Sequence, residues 1–276
     1  MEGHKLFSLK MGRFDILKNL AESVFDQFVV KRFTIKDNIR SLGIGSAIGD
    51  IESLYIKRLS NHFQAVENTV VEPNAGAVAE YKSLTVRNDW KNVEYSWFIG
   101  TFQQFRVKVA GNDKKYHHIS AIDSVYYLEN LADDILFMYD ILENGGIMMI
   151  MVLSGTNSLS KIDNRFSKLL QANCVTSKDI IGVCEENQLT YECYHHECNN
   201  DITDFFSSSP LPQEEKILLD FWIQMKDFEE NVPQSIYDEV INFIKSPDCS
   251  IHMNEKVFFR NDFDMFFIEK KRVTLA

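Results

Sequence analysis

The sequence predicts an α/β protein with a doubly wound, mostly parallel sheet and helices on both faces. Apolar runs of strand length alternate with segments of helical periodicity over most of the chain. The first run ends in a glycine-rich loop, Gly43-x-Gly45-x-x-x-Gly49, and the second ends in an acid, Glu72. Because the carboxyl ends of adjacent parallel strands meet at one edge of a sheet, we expect the loop and the acid to lie together.

The element before the first strand is predicted to be a helix over residues 12–33, because its apolar residues recur at helical spacing. A helix in this position can lie across the top of a ligand site. Glu22 on this helix therefore has two interpretations, a ligand-facing acid or a solvated residue. The local sequence alone favours the solvated residue.

Six strands are predicted from the apolar runs, over residues 39–42, 70–71, 95–99, 116–122, 147–153 and 190–196. Helices are predicted over residues 50–62, from 74, over 130–142, over 159–171 and from 176. Asn144-Gly145-Gly146 is interpreted as the stop signal of the helix over 130–142. The run over 147–153 is the clearest buried strand because it is continuously apolar.

The pattern changes between residues 201 and 251, where a serine- and proline-rich loop at 207–210 precedes two helices, over 212–228 and 233–246. We interpret 201–251 as a mainly helical insertion before the last strands. Those strands, over 256–260 and 263–269, are predicted to form a hairpin around the tight turn Asn261-Asp262. The whole chain, 1–276, is thus predicted to be a single domain.

The composition is that of a globular protein, with 45% hydrophobic residues and 21 Phe. The formal net charge of -11 argues against a nucleic-acid partner, because docking on phosphates requires a basic surface. The sequence shows neither an apolar run of membrane-spanning length nor a signal-peptide pattern. We therefore expect a cytoplasmic protein without a membrane partner. We also expect a monomer.

Cysteine and histidine spacing gives no metal site. The five cysteines are odd in number and lack C-x-x-C spacing, so reduced thiols are expected. The pairs His117-His118 and His195-His196 lie in predicted strands, where adjacent side chains point to opposite faces and cannot bind one ion together.

The glycine loop favours one cofactor over another. Ala47 and Ile48 crowd the turn, and Asp50 places a negative charge at the start of the following helix, which would repel a pyrophosphate. S-adenosylmethionine carries no phosphate and has a cationic sulfonium, so a nearby carboxylate is compatible with it. Glu72 would accept hydrogen bonds from the ribose hydroxyls. The residues therefore favour a methyltransferase, with a nicotinamide- or flavin-dependent oxidoreductase as the weaker alternative.

Asp123, Tyr126 and Tyr127 follow the strand over 116–122 and are the candidates for an acceptor pocket. One tyrosine ring is expected to pack under the next helix. The other would wall the pocket, where an aromatic face attracts a cationic group. A noncatalytic module that binds a small cationic ligand needs the same side chains and stays open as an alternative.

Several short motifs can be compared with known families. They are Leu42-x-Ile44-Gly45-x-x-x-Gly49-Asp50, Val70-Val71-Glu72-Pro73-x-Ala75 with Tyr81-Lys82, Tyr126-Tyr127, Val152-x-Ser154-Gly155, Leu189-x-Tyr191-Glu192-Cys193-Tyr194 with Asp201-Ile202, and Lys256-Val257-x-Phe259-x-Asn261. Together these motifs resemble the histamine N-methyltransferases. The resemblance runs from about Phe14 to Glu269. It implies a Rossmann-like class I methyltransferase sheet, with an N-terminal helix and with the insertion 201–251 on the acceptor side.

The resemblance also implies site residues. By resemblance, S-adenosylmethionine is bound by Gly45, Glu72, Phe102 and Ile122, and the glycine loop adds Gly43 and Ser46 to this expected site. By resemblance, the acceptor is surrounded by Glu22, Asp123, Tyr127 and Asn261, and Tyr126 is added to this expected site from its place after the strand. No residue forms a covalent intermediate, so Glu22, Asp123 and Asn261 act by positioning the acceptor.

The departures from the family concern the acceptor. The family usually has a glutamine at the position of Asp123 and tryptophans near Leu159 and Asp163. The expected site has therefore lost aromatic walls and gained a carboxylate. The predicted reaction is methyl transfer to a nitrogen of a small amine or imidazole compound, which is histamine-like or carries more positive charge.

Overall fold

The computed structural model describes residues 2–10, 12–34, 37–170, 174–206 and 211–271. The predicted loop at 207–210 lies outside these ranges. The chain divides into two compact units. The helical unit comprises Met1–Phe14, Leu153–Lys178 and His195–Asp264, and the sheet unit comprises Asp15–Val152, Asp179–Tyr194 and Met265–Ala276.

The helices of the described residues alternate with strands between residues 38 and 153 and follow one another between 204 and 245. They are α1 (Glu2–Lys10), α2 (Arg13–Leu20), α3 (Asp26–Phe28), α4 (Glu52–His62), α5 (Ala75–Asn88), α6 (Phe102–Val109), α7 (Leu131–Asp140), α8 (Ser158–Leu170), α9 (Ser177–Glu186), α10 (Gln213–Ile223), α11 (Phe228–Asn231) and α12 (Gln234–Lys245). A π-helical turn, Ala21–Phe25, joins α2 to α3, and 3₁₀ turns occupy Val30–Arg32, Val125–Tyr127 and Asp204–Phe206.

The strands of the described residues form two sheets. The strands are β1 (Asn38–Ile44), β2 (Ala65–Glu72), β3 (Val93–Ile99), β4 (Tyr116–Ile122), β5 (Leu142–Leu153), β6 (Thr190–His196), β7 (Asn199–Asp201), β8 (Ile251–Met253), β9 (Lys256–Arg260) and β10 (Phe263–Glu269). The seven-stranded sheet has the order β3-β2-β1-β4-β5-β10-β6, and the three-stranded sheet has the order β7-β9-β8.

The five strands from β3 to β5 in the sheet order run parallel. β10 runs antiparallel to β5, because the Ser154 N–H donates to the Asp262 carbonyl and, at the opposite ends of both strands, the Gly145 N–H donates to the Lys270 carbonyl. The chain order reverses between β1 and β4, and ligands bind at such a switch point. The predicted Rossmann-like α/β fold is confirmed.

Local sequence accounts for several of these elements. Residues 147–152 of β5 are at most 1% exposed, as expected of a continuously apolar strand with neighbours on both sides. Helix α5 begins after Asn74, whose side chain accepts hydrogen bonds from the Gly76 and Ala77 N–H groups. Helix α6 begins with a capping box formed by Thr101 and Gln104. No described helix is long and apolar enough to cross a membrane.

The helical unit has its own core, built from α8, α10, α12 and β9. At its centre the indole ring of Trp222 stacks on the ring of Phe259, with 4.4 Å between the ring centroids. Phe228 and Val240 are fully buried in the same cluster. The predicted insertion 201–251 lies within this unit, which also includes α1 and α8.

The predicted hairpin between the last two strands is wrong. β9 pairs with β7 and β8 in the small sheet, whereas β10 belongs to the large sheet. Asn261 and Asp262 do not turn the chain back, because the Asn261 N–H donates to the Cys198 carbonyl at 2.6 Å and the Asp262 carbonyl accepts from Ser154. The apolar residues of the two segments predict strands in either topology, so they did not distinguish a hairpin from two separate sheets.

Three predicted helix limits were also wrong. The helix over 130–142 ends at Asp140, and Gly145 lies inside β5 with a φ of 80°, beside a register shift between β4 and β5. The helix over 212–228 ends at Ile223, because Gln224 adopts a left-handed conformation. The N-terminal helix over 12–33 is interrupted by the π-helical turn Ala21–Phe25.

His118 is a buried group of the sheet unit that makes stability depend on pH. Its side chain is 1% exposed, its Nδ1 lies 3.1 Å from the Ser41 hydroxyl, and the Phe25 ring meets it edge-on. Burial lowers the pKa of His118 to about 3, so the imidazole is neutral in the folded protein.

We expect His118 to destabilise the fold as the pH falls below about 6.5, where the unfolded chain gains a proton that the folded protein does not bind. The free energy of unfolding should fall by about 1.4 kcal/mol per pH unit from this residue alone. Urea unfolding across this acidic range should give a shallower pH dependence for His118→Asn than for the wild type. Equal pH dependence in the two proteins would contradict the assignment.

Candidate active site

The candidate site lies at the carboxyl edge of the parallel strands. Ile44 at the end of β1 pairs with Val71 of β2 and with Ala121 of β4. The segments that follow these three strands therefore start side by side. The Gly45 N–H donates to the Val71 carbonyl at 2.8 Å, which directs the glycine loop towards the end of β2.

The Glu72 side chain holds the glycine loop in place by a hydrogen bond to the loop backbone. One carboxylate oxygen accepts a hydrogen bond from the Ala47 N–H at 2.9 Å, and the other accepts from the Asn74 N–H at 2.8 Å. The residue is 7% exposed. Each carboxylate oxygen can accept a second hydrogen bond, so Glu72 can hold the loop and also bind two hydroxyl groups.

Each glycine of the motif Gly43-x-Gly45-x-x-x-Gly49 leaves a space that another side chain of the protein occupies. A Cβ atom at Gly45 would lie 2.5 Å from the Ser124 Cβ, and one at Gly49 would lie 2.1 Å from the Tyr81 ring. A Cβ atom at Gly43 would lie 2.1 Å from a carboxylate oxygen of Glu52. These contacts fix the loop within the protein. The part that stays exposed is Ala47 and Ile48, and Ser46 is partly buried.

The other expected cofactor residues differ in exposure. Phe102, the first residue of α6, is buried, and its ring packs against the rings of Phe105 and Phe137. Ile122, the last residue of β4, is partly exposed. Ile99, which is not among the expected residues, is 53% exposed and pairs with Glu72 at the end of β3, so it is a further candidate for this edge. Its position at the end of an apolar strand was the signal that could have named it as a candidate.

Asp123 and the two tyrosines lie directly after β4. Asp123 has a φ of 48°, a left-handed conformation that Asp and Asn tolerate better than most residues. Its N–H donates to the Met151 carbonyl at 3.1 Å. Tyr126 is partly buried, whereas Tyr127 is 84% exposed. Asp123 and Tyr127 therefore lie on the turn that follows the β4 edge of the candidate site.

Glu22 lies in the π-helical turn and is exposed. Its charge contributes to raising the pKa of Arg58, although the larger cause is the hydrogen-bonded ion pair of Arg58 with Asp26. π-Helical turns recur at functional sites, and neither the turn nor the Arg58 neighbourhood was predicted. The acceptor role of Glu22 stays a prediction.

Asn261 belongs to the helical unit, where its amide is held by its neighbours. The Asn157 Nδ2 group donates to the Asn261 Oδ1 at 3.3 Å and to the Asp262 carbonyl at 2.9 Å. Asn157 itself is fixed, because its Oδ1 accepts from the Leu159 N–H at 2.8 Å. Asn261 is buried, and its expected acceptor role stays a prediction.

Comparison with known proteins identifies the relatives of the chain. No family model matches it. Histamine N-methyltransferase of Danio rerio is 29% identical over 237 residues, which cover 83% of this chain and 80% of that protein. Histamine N-methyltransferase A of Xenopus laevis is 26% identical over 279 residues, covering 98% and 94%. The chain is a homologue of the histamine N-methyltransferases. The resemblance seen in the motifs is therefore confirmed.

Solved structures agree on the fold of this histamine N-methyltransferase homologue. The YcgJ protein of Bacillus subtilis superimposes with a TM-score of 0.55 at 13% identity, covering 88% of this chain and 96% of that chain. The plantazolicin methyltransferase BpumL gives a TM-score of 0.51 at 13% identity, covering 97% and 90%. The chain thus has the class I methyltransferase fold.

The cost of the steric contact between position 45 and Ser124 can be measured by comparing alanine substitutions at Gly45 and Gly111. Gly45→Ala should lower the free energy of unfolding by about 1 kcal/mol because of the left-handed backbone. The contact with Ser124 should lower it by about 1–3 kcal/mol more. Gly111→Ala is the matched control, because Gly111 has a φ of 75° but no atom within 4 Å of the added Cβ. Chemical denaturation should therefore show a larger loss for Gly45→Ala. Equal losses would mean that the loop moves away from Ser124 at little cost.

Proposed function

We propose that this protein transfers a methyl group from S-adenosylmethionine to a nitrogen atom of a small amine or imidazole compound. The observation that supports the proposal best is the placement of Glu72. Its carboxylate lies at the end of β2, bonded to the Ala47 N–H of the loop that follows β1, with one further hydrogen bond available at each oxygen. The named relatives are histamine N-methyltransferases, and BpumL was solved in complex with SAH.

The residues of this edge fit the proposed methyl donor. Glu72 would accept from the two ribose hydroxyls, and the partly exposed Ile99 and Ile122 would provide apolar surface for the adenosine half. The loop backbone at Ser46 and Ala47 would hold the amino-acid half. When bound, S-adenosylmethionine supplies an electrophilic methyl group on a sulfonium.

The charges around the glycine loop favour this donor over a dinucleotide. Asp50 is exposed in the turn that precedes α4. An acid at a helix start opposes a pyrophosphate there, whereas it is compatible with the positive charges of the sulfonium and ammonium groups.

The acceptor is proposed to be a cationic or imidazole-containing small molecule. Asp123 would pair with a protonated amine, and the exposed ring of Tyr127 would cover the cationic group. The reacting nitrogen must be neutral when it attacks, so the task of Glu22, Asp123 and Asn261 is to orient the acceptor rather than to form a bond with it. A carboxylate or a water molecule would take up the released proton.

Other expectations rest on the sequence alone. Three of them stay predictions: the protein is cytoplasmic, it is a monomer, and it binds no nucleic acid. The placement of the helical segment 201–251 on the acceptor side also stays a prediction.

Glu72→Ala should weaken S-adenosylmethionine binding by one order of magnitude or more, because a hydrogen bond to a charged group is worth roughly 1.5–3 kcal/mol. Isothermal titration calorimetry measures the dissociation constant. The matched control is Glu67→Ala, which removes a partly exposed acid from the same strand. Glu67→Ala should bind S-adenosylmethionine as the wild type does.

The same titration separates the alternatives. Binding of NAD in place of S-adenosylmethionine by the wild type would support the oxidoreductase, and binding of neither would support a noncatalytic module. Unchanged S-adenosylmethionine affinity in Glu72→Ala would show that the donor is bound elsewhere.

Asp123→Asn should lose about tenfold or more in kcat/KM on a protonated amine acceptor, because a charge-assisted hydrogen bond becomes a neutral one. The loss on an uncharged imidazole should be small, since Asn tolerates the left-handed backbone of this position. Steady-state kinetics with a panel of charged and uncharged acceptors tests the prediction. An equal loss on both classes would reject the role in specificity.

A further inference from the structure

Glu52, the first residue of α4, is buried beneath the glycine loop. The residue is 4% exposed, and its carboxylate accepts a hydrogen bond from the Asn68 Nδ2 group at 2.7 Å. The carboxylate occupies the space next to Gly43, where a Cβ atom would approach its three heavy atoms to between 2.1 and 2.4 Å. A side chain at position 43 and the Glu52 carboxylate therefore exclude each other.

The groups around Glu52 come from the loop and from two other elements. Ser46 belongs to the glycine loop, Asn68 to β2 and Tyr81 to α5, and all three oppose the rise of the Glu52 pKa that burial causes. Tyr95 of β3 is close enough for the Glu52 charge to contribute to raising its pKa. One buried carboxyl group thus lies close to the glycine loop, to β2, where Asn68 is hydrogen-bonded to it, and to α5.

Gly43 differs from the other two glycines in its backbone. Gly45 and Gly49 have φ values of 68° and 75°, so they favour glycine for conformational reasons as well as for space. Gly43 lies within β1 and does not have a positive φ. Any residue can adopt its backbone conformation, so only the space taken by Glu52 requires glycine there.

We propose that Glu52 is a positioning residue for the cofactor-binding loop, and that Gly43 is a glycine in order to receive the Glu52 carboxylate rather than to contact the cofactor. This inference rests on the proposed function, because it assumes that the loop binds S-adenosylmethionine. It makes Gly43 and Glu52 a matched pair. Shortening one side chain should permit lengthening of the other.

A set of variants tests the pair. Gly43→Ala should weaken S-adenosylmethionine binding by about tenfold, which corresponds to the loss of one or two loop hydrogen bonds. Glu52→Asp withdraws the carboxylate by one carbon–carbon bond, about 1.5 Å. The double variant Gly43→Ala/Glu52→Asp should therefore bind within about threefold of Glu52→Asp alone, a difference smaller than one typical hydrogen bond.

Gly45 provides the matched control. Gly45→Ala should weaken binding too, but Glu52→Asp should not rescue it, because the defect there is the left-handed backbone and the contact with Ser124. Rescue of both glycine variants would mean that Glu52→Asp loosens the loop in general, and it would overturn the pairing.

Two measurements distinguish positioning from simple packing. A packing role alone would lower the melting temperature of Gly43→Ala without changing the S-adenosylmethionine dissociation constant or the KM for it. Positioning requires the KM for S-adenosylmethionine to rise in Gly43→Ala and to recover in the double variant. Loss of affinity without recovery, or unchanged affinity in Gly43→Ala, would overturn the inference.

Hydrogen exchange of the free protein keeps the inference separate from the proposed function. Exchange of the loop amides at Ser46 and Ala47 should become faster in Gly43→Ala and recover in the double variant, without any ligand. Failure of the wild type to bind S-adenosylmethionine would reject the proposed function, whereas failure of the exchange to recover would reject the pairing itself.

Discussion

The hydrogen bond between the Glu72 carboxylate and the Ala47 N–H is the contact on which the candidate site depends. It joins the loop after β1 to the end of β2, in a register already fixed by the pairing of Ile44 with Val71. The parallel strands bring both segments to one edge of the sheet. The carboxylate then sets the conformation of the loop, because it fixes a backbone N–H of a residue with a left-handed φ of 47°. A single acid thus closes the loop and supplies acceptor atoms at the place where a ligand would bind.

The loop is supported from its protein side as well. Glu52, Ser124 and Tyr81 occupy the spaces that the three glycines leave open. A loop packed in this way is ordered before a ligand binds, which lowers the entropic cost of binding. The exposed acid Asp50 and the Glu72 carboxylate make the surroundings of the loop suitable for a cation and unsuitable for a phosphate. The charges around the loop therefore favour the proposed methyl donor.

In the helical unit, Asn261 is likewise held in one orientation by hydrogen bonds within the protein. An unambiguous donor, the Leu159 N–H, fixes the amide of Asn157, and Asn157 then fixes the amide of Asn261. Asp262 strengthens the same segment by accepting from the Cys198 N–H and the Thr156 hydroxyl. In each unit a short polar segment is held by buried hydrogen bonds, so that its geometry does not depend on solvent.

The sequence by itself determined the order of the strands through β6, most of the helices between them, the glycine loop and the acid at the end of β2, because these follow from hydrophobic period and from glycine positions. It did not predict the helices α1 and α6. The separation of β9 and β10 into two sheets, the π-helical turn that carries Glu22, and the role of Gly43 were decided only by the tertiary structure. The reason is physical. The apolar residues of a strand do not identify the strand with which it pairs. A glycine indicates that space is needed but not which distant side chain, here Glu52, fills that space.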